Sequence, residues 1–268
     1  MDISHQAAMQ QTARHEAAHA VIAFVEGVRF RLSGVSIIPQ KAGRLRSAGR
    51  VGVKSTCDLH KLLRTVLAGP LYGFVTLSDN SDQTMLDHHS SSLTHDAEAS
   101  AAILADLWNC PDDQPLARAI QLRDWTPFSD SVGQQVFLRV HKKKAQSAYF
   151  FLDAFIWALW LSDRTPADAN RLFADLNELR ERQLKDTPHR DANNSDPRVF
   201  PFLHQSARDT RRLLAKHRNT IEALSACLLQ KQAMCGPDLE SFLAIRAALD
   251  EHQITRREYE FLTPESSR

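Results

Sequence analysis

Cysteine is scarce in this chain and is nowhere arranged for metal binding. Its four cysteines, Cys57, Cys110, Cys227 and Cys235, form no CxxC pair and match no zinc-ribbon spacing. They read as buried or free thiols in a reducing compartment. An excess of charge is also missing. Basic and acidic side chains nearly cancel, leaving a net charge of +1 over 268 residues. That excludes a broad basic field for nucleic acid or anionic lipid, and no nucleic-acid partner is expected. The short basic runs His141-Lys142-Lys143-Lys144 and Arg211-Arg212 fit solvated helix faces.

Long apolar runs are absent as well. The most apolar stretch, AYFFLDAFIWALWL from Ala148 to Leu161, is too short to span a bilayer and contains Asp153. Its Phe150, Phe151, Phe155, Trp157 and Trp160 recur at near-helical spacing and read as core or a subunit interface. No signal-peptide pattern opens the chain, so a cytoplasmic protein is expected. There is no internal repeat and no phosphate loop. GRVGVKST, residues 49–56, lacks the Gly-Lys-Ser/Thr adjacency such a loop requires, so no ATP site is expected.

What is present is mostly helical patterning around one small sheet. Residues 4–26 contain neither Gly nor Pro, with Ser4 as a cap and Gly27 as a stop, and predict one long helix. FRLSGVSIIPQ and AGRVGVKS are short β-branched runs that predict two paired strands within residues 29–54. Helical spacing resumes in TCDLHKLLRTVLAGPLYGFVTL, with a break or kink expected at Gly69-Pro70. Residues 78–94 are polar and loop-like. Thr94 suits the cap of a helix that Pro111 ends. Further helices are expected over 133–162 and over 166–185, the latter opened by Thr165 as cap and Pro166 in the first turn. Residues 186–201 have linker composition, and helix returns from Leu203, with a stop at Gly236-Pro237.

Inside the first helix lies His15-Glu16-Ala17-Ala18-His19, an HExxH pattern. Residues four apart share a helix face, so His15 and His19 can offer two imidazoles to one metal, and zinc accepts neutral imidazole well. Glu16 projects about 100° around from His15. That places its carboxylate beside the metal, where it can take a proton from water. A catalytic zinc needs a third protein ligand and an open fourth position. No further His follows in residues 20–27, and Glu26, two turns along the same helix, is poorly placed to converge. His60, Asp87, His88, His89, His95 and Asp96 remain candidates, and spacing does not choose among them.

The string RHEAAHAVIAF…VSIIPQ…AGRVGV resembles the peptidase domain of the FtsH-type zinc metalloproteases, in which an HEAGH helix leads to a V-T-I-I-P-R strand and a short G-x-T edge strand. VLAGPLYGF sits where that family has L-x-G-G-R-A-A-E. SSLTHDAEASAAILADLW is similar to its G-A-S-N-D-L-E-Q-A-T segment, and residues 206–243 resemble its closing helices. The resemblance covers about 1–109 and 203–245.

It implies a mainly α fold: an HExxH zinc-peptidase core over 1–109, an atypical aromatic-rich helical insert and linker over 110–202, C-terminal helices over 203–250 packing on the core, and a tail over 251–268. It also implies Zn2+ as cofactor, His15, His19 and Asp96 as ligands, and Glu16 as general base for peptide hydrolysis. His88, His89 and His95 then read as solvated loop residues. The edge strand Gly49, Arg50, Val51, Gly52 and Val53 would hold substrate by strand addition. The unfoldase and membrane helices of that family have no counterpart in the sequence. Substrates are therefore expected to be unfolded or flexible protein segments, cleaved without ATP. A homo-oligomer is compatible with the resemblance, and so is a monomer.

Three departures stand out. Ala18 replaces the family's Gly, AGPLYGF lacks the acidic pair of GGRAAEE, and residues 110–202 are unlike the family's middle. They leave open an alternative: a non-proteolytic, metal-binding regulatory or interaction protein that retains the fold.

Overall fold

A computed structural model describes residues 3–42, 45–47, 49–54, 58–77, 96–97, 99–100, 103–104, 154–184 and 198–250. The described residues are mainly helical with a small antiparallel sheet, as the patterning predicts. They gather into two compact units, one within 1–40, 47–73 and 212–268, the other within 41–46 and 74–211.

The first unit is built on helix α1, Ile3–Val25. Its Ala13, Ala17, Ala18, Ala20 and Ala23 are all fully buried, so a neighbouring helix can approach closely. That neighbour is α5, Arg218–Lys231, which turns Thr220, Ile221, Leu224, Ser225 and Leu228 inward. The chain leaves α1 through Gly27, whose φ of 71° suits a residue without a Cβ.

Strand β1, Phe30–Ser36, follows. The basic connection after it forms a separate two-stranded sheet, β2 (Gln40–Ala42) with β3 (Leu45–Ser47). Strand β4, Arg50–Val53, then returns antiparallel to β1, pairing Ser36 with Arg50 and Val35 with Val51. The sheet gains a third strand that sequence patterning did not show. After α5 ends on Gln232 in the left-handed region, β5 (Ala233–Met234) pairs with Val35 and Ser36, giving the order β4-β1-β5. Helix α6, Gly236–Asp250, starts there and packs on β1.

Helix α2, Leu59–Leu77, begins at Asp58, whose carboxylate accepts the Lys61 N–H. It runs through Gly69-Pro70 instead of breaking there. Leu63, Leu67, Ala68, Leu71 and Tyr72 are all buried, and this packing outweighs the hydrogen bond a helical proline forfeits. Half-buried Arg64 grips Glu26 at the end of α1 with two hydrogen bonds of 2.6 and 2.9 Å.

In the second unit, residues 154–160 are helical and α3 spans Pro166–Leu184. The expected cap is in place: Thr165 Oγ1 accepts the Asp168 N–H at 3.2 Å and donates to Asp168 Oδ2. Helix α4, Val199–Lys216, starts a little before Leu203 because Val199 and Phe200 are core residues. Phe200 stacks face to face on Phe173 at 3.9 Å. Of the aromatic run, Phe155 is buried and Trp160 is exposed, while Phe150 and Phe151 lie outside the described residues. No described helix is long and apolar enough to cross a membrane.

Candidate metal centre

Helix α1 carries His15, Glu16 and His19 in the same stretch as its buried Ala13, Ala17, Ala18 and Ala20. The Nε2 atoms of His15 and His19 face each other at 3.0 Å, with the ring planes at 83°. Two imidazole nitrogens on one tetrahedral zinc, each about 2.0–2.1 Å from it, stand about 3.3 Å apart. The pair is thus aimed at a common point with a spacing close to that of two ligands.

The back of the His19 ring fixes its tautomer. Nδ1 lies 2.7 Å from the carbonyl oxygen of Thr65 on α2. A carbonyl can only accept, so Nδ1 carries the hydrogen and donates it. The lone pair is then on Nε2, turned toward His15. The Gly69 N–H also faces Nδ1, but at 3.4 Å, and it would need the lone pair that the shorter contact has already placed elsewhere. A histidine ring that donates one N–H to a backbone carbonyl and turns its other nitrogen toward the metal is the usual arrangement at protein metal sites.

Glu16 is only 6% exposed and His19 only 8%. Burying a carboxylate is costly unless it is engaged, so Glu16 has a reason to be there. Its neighbour is the backbone of Gly49, immediately before β4. A Cβ at that position would stand 2.6 Å from Glu16 Cγ and 2.7 Å from Oε1. The strand therefore closes directly over the carboxylate.

Asp96 is half-buried, with Oδ2 withdrawn from solvent. His15, His19 and Asp96 each offer one ligand atom, and the three atoms lie within 4.8 Å of one another. This triad could hold a metal ion, and two imidazoles with one carboxylate suit zinc. Other candidates fall away or lie elsewhere. His60 is exposed in the first turn of α2 and is not part of the group. Glu26 is taken by Arg64. Asp87, His88, His89 and His95 lie outside the described residues.

Several residues that shape the site were not foreseen from sequence. The Thr65 carbonyl is a backbone group and leaves no trace in a motif. Gly69 had a signal: a glycine inside an otherwise helical pattern usually has a packing reason. Beside the site, the buried Tyr72 hydroxyl donates to Glu222 Oε1 at 2.6 Å, and Glu222 Oε2 accepts from Arg14 Nε at 3.3 Å. Burial and the neighbouring Glu222 push the Tyr72 hydroxyl well above its ordinary pKa, so it stays a donor. This carboxylate joins α1, α2 and α5 next to His15.

Comparison with known proteins returns no matching family model, no matching curated protein and no matching solved structure.

Proposed function

We propose that the chain is an ATP-independent zinc metallopeptidase acting on unfolded or flexible protein segments. The observation that carries this reading is the convergence of His15, His19 and Asp96 beside the buried carboxylate of Glu16. Its resemblance to the FtsH-type peptidase domain supports the same reading. The three converging residues would hold the ion, His19 through Nε2. Zinc, when bound, supplies a Lewis acid that activates water and polarises a carbonyl.

The remaining work falls to groups of this chain. Glu16, one residue from a ligand and on a neighbouring face, takes the proton from the attacking water and passes it to the leaving amine. Gly49, lacking a side chain, leaves the space that the Glu16 carboxylate occupies. Strand β4 is an edge of its sheet. A peptide laid along Gly49, Arg50, Val51 and Gly52 by strand addition would pass the Glu16 carboxylate. The Val53 carbonyl already accepts from Arg31 Nε at 2.8 Å, which shortens the stretch on offer.

Metal content tests the reading. Purified protein is expected to hold close to one zinc per chain, Asp96→Ala to hold much less, and Glu16→Gln to retain it. Full occupancy in Asp96→Ala would remove that residue from the site, and a wild type that takes up no zinc would end the proposal.

A further inference from the structure

Gly69 lies in the interior of α2, four residues after Thr65, on the side of the helix that faces the histidine pair. A glycine there weakens the helix relative to alanine, so the position calls for an explanation. The space around it provides one. A Cβ built on Gly69 would overlap Nε2 of His19 and stand 2.7 Å from Nε2 of His15. The missing side chain thus coincides with the volume beside the two facing Nε2 nitrogens. Gly73, one turn further along the same helix, has nothing within 4 Å of its own Cβ position. The demand for bare backbone is therefore specific to Gly69.

We propose that Gly69 is a positioning residue that reserves the coordination volume at Nε2 of His15 and His19, so that α2 holds the back of the His19 ring through Thr65 while leaving its front clear for the ion. This rests on the zinc reading above. The atoms a methyl would strike are the tips of two side chains, not backbone. The imidazoles can swing aside, so the substitution disturbs the ligands before it disturbs the fold.

The test compares the full-length wild type with Gly69→Ala and Gly73→Ala, using zinc content, zinc affinity and the visible spectrum of the cobalt(II)-substituted protein. Wild type and Gly73→Ala are expected to bind about one zinc and to share one cobalt spectrum. Gly69→Ala is expected to keep its helical content but lose at least about tenfold in zinc affinity, with a changed cobalt spectrum. Wild-type affinity and spectrum in Gly69→Ala would overturn the inference and leave the zinc reading standing. Equal loss in both alanine variants would overturn it too, as a general helix effect. No zinc in wild type would overturn the reading and the inference together. If Gly69→Ala fails to fold, the same change is made with His15 and His19 both replaced by alanine. Recovered folding would show that the rings were the obstacle, and continued failure would refute the proposal.

Discussion

His19 gives its Nδ1 hydrogen to the carbonyl oxygen of Thr65 across 2.7 Å, and by doing so turns a lone pair at Nε2 toward His15. One backbone group on α2 therefore decides what a side chain on α1 can do.

The approach of Gly49 to Glu16 leads to a sharp expectation. Gly49→Ala places a methyl against the Glu16 carboxylate, which must shift. Zinc content should be unchanged, because the proposed ligands are His15, His19 and Asp96. Peptide hydrolysis should fall by about 100-fold, the usual order for a displacement of about 1 Å at a reacting group. Paired zinc and rate measurements check this, and undiminished cleavage would show that Glu16 does not depend on the strand.

Tyr72→Phe removes the hydroxyl that binds Glu222 from a nearly fully buried position. Loss of a hydrogen bond to a charged acceptor costs about 1.5–3 kcal/mol. The partly exposed Glu222 can still meet Arg14 and water, so the lower end is expected. Urea denaturation of the two proteins measures it directly. A second expectation follows from the position of Glu222 between three helices: Glu222→Ala should destabilise at least as much as Tyr72→Phe.

His204 sits 1% exposed in the second unit, with Nε2 donating to the Leu161 carbonyl at 2.8 Å and the ring beside Phe200. Burial pushes its pKa below the ordinary 6.5, and Arg208 adds to this, while the Leu161 hydrogen bond and Asp163 oppose it. Below pH 6.5 the unfolded chain therefore binds a proton that the folded chain resists. Stability from this residue is complete above about pH 6.5 and declines as pH falls toward the folded value. His204→Gln should flatten that part of the pH–stability curve. A curve of unchanged slope in the variant would assign the acid sensitivity to other groups.

Much of the first unit was legible in the sequence. The gap in Gly and Pro over residues 4–26 marked α1, and the β-branched runs marked β1 and β4. Thr165 and Pro166 marked the start of α3. These are local signals, set by caps and periodicity. Of the break or kink expected at Gly69-Pro70, the break is absent because tertiary packing holds α2 together, and β5 was hidden because two residues are too few for a period. At the site, His15, Glu16 and His19 came from spacing on one helix. Asp96, far away in sequence, needed a resemblance to single it out from five other candidates. Thr65, Gly49 and Gly69 act through backbone or through the absence of a side chain, and HExxH spacing carries no record of either.

The most direct test of the account is the degradation of an unfolded protein such as casein by the zinc-loaded protein without ATP, wild type beside Glu16→Gln. The account predicts cleavage by the wild type and a loss of about 100- to 10,000-fold in the variant, with zinc retained in both. Zinc-loaded wild type that leaves casein intact, or a Glu16→Gln variant that cleaves it at the same rate, would contradict it.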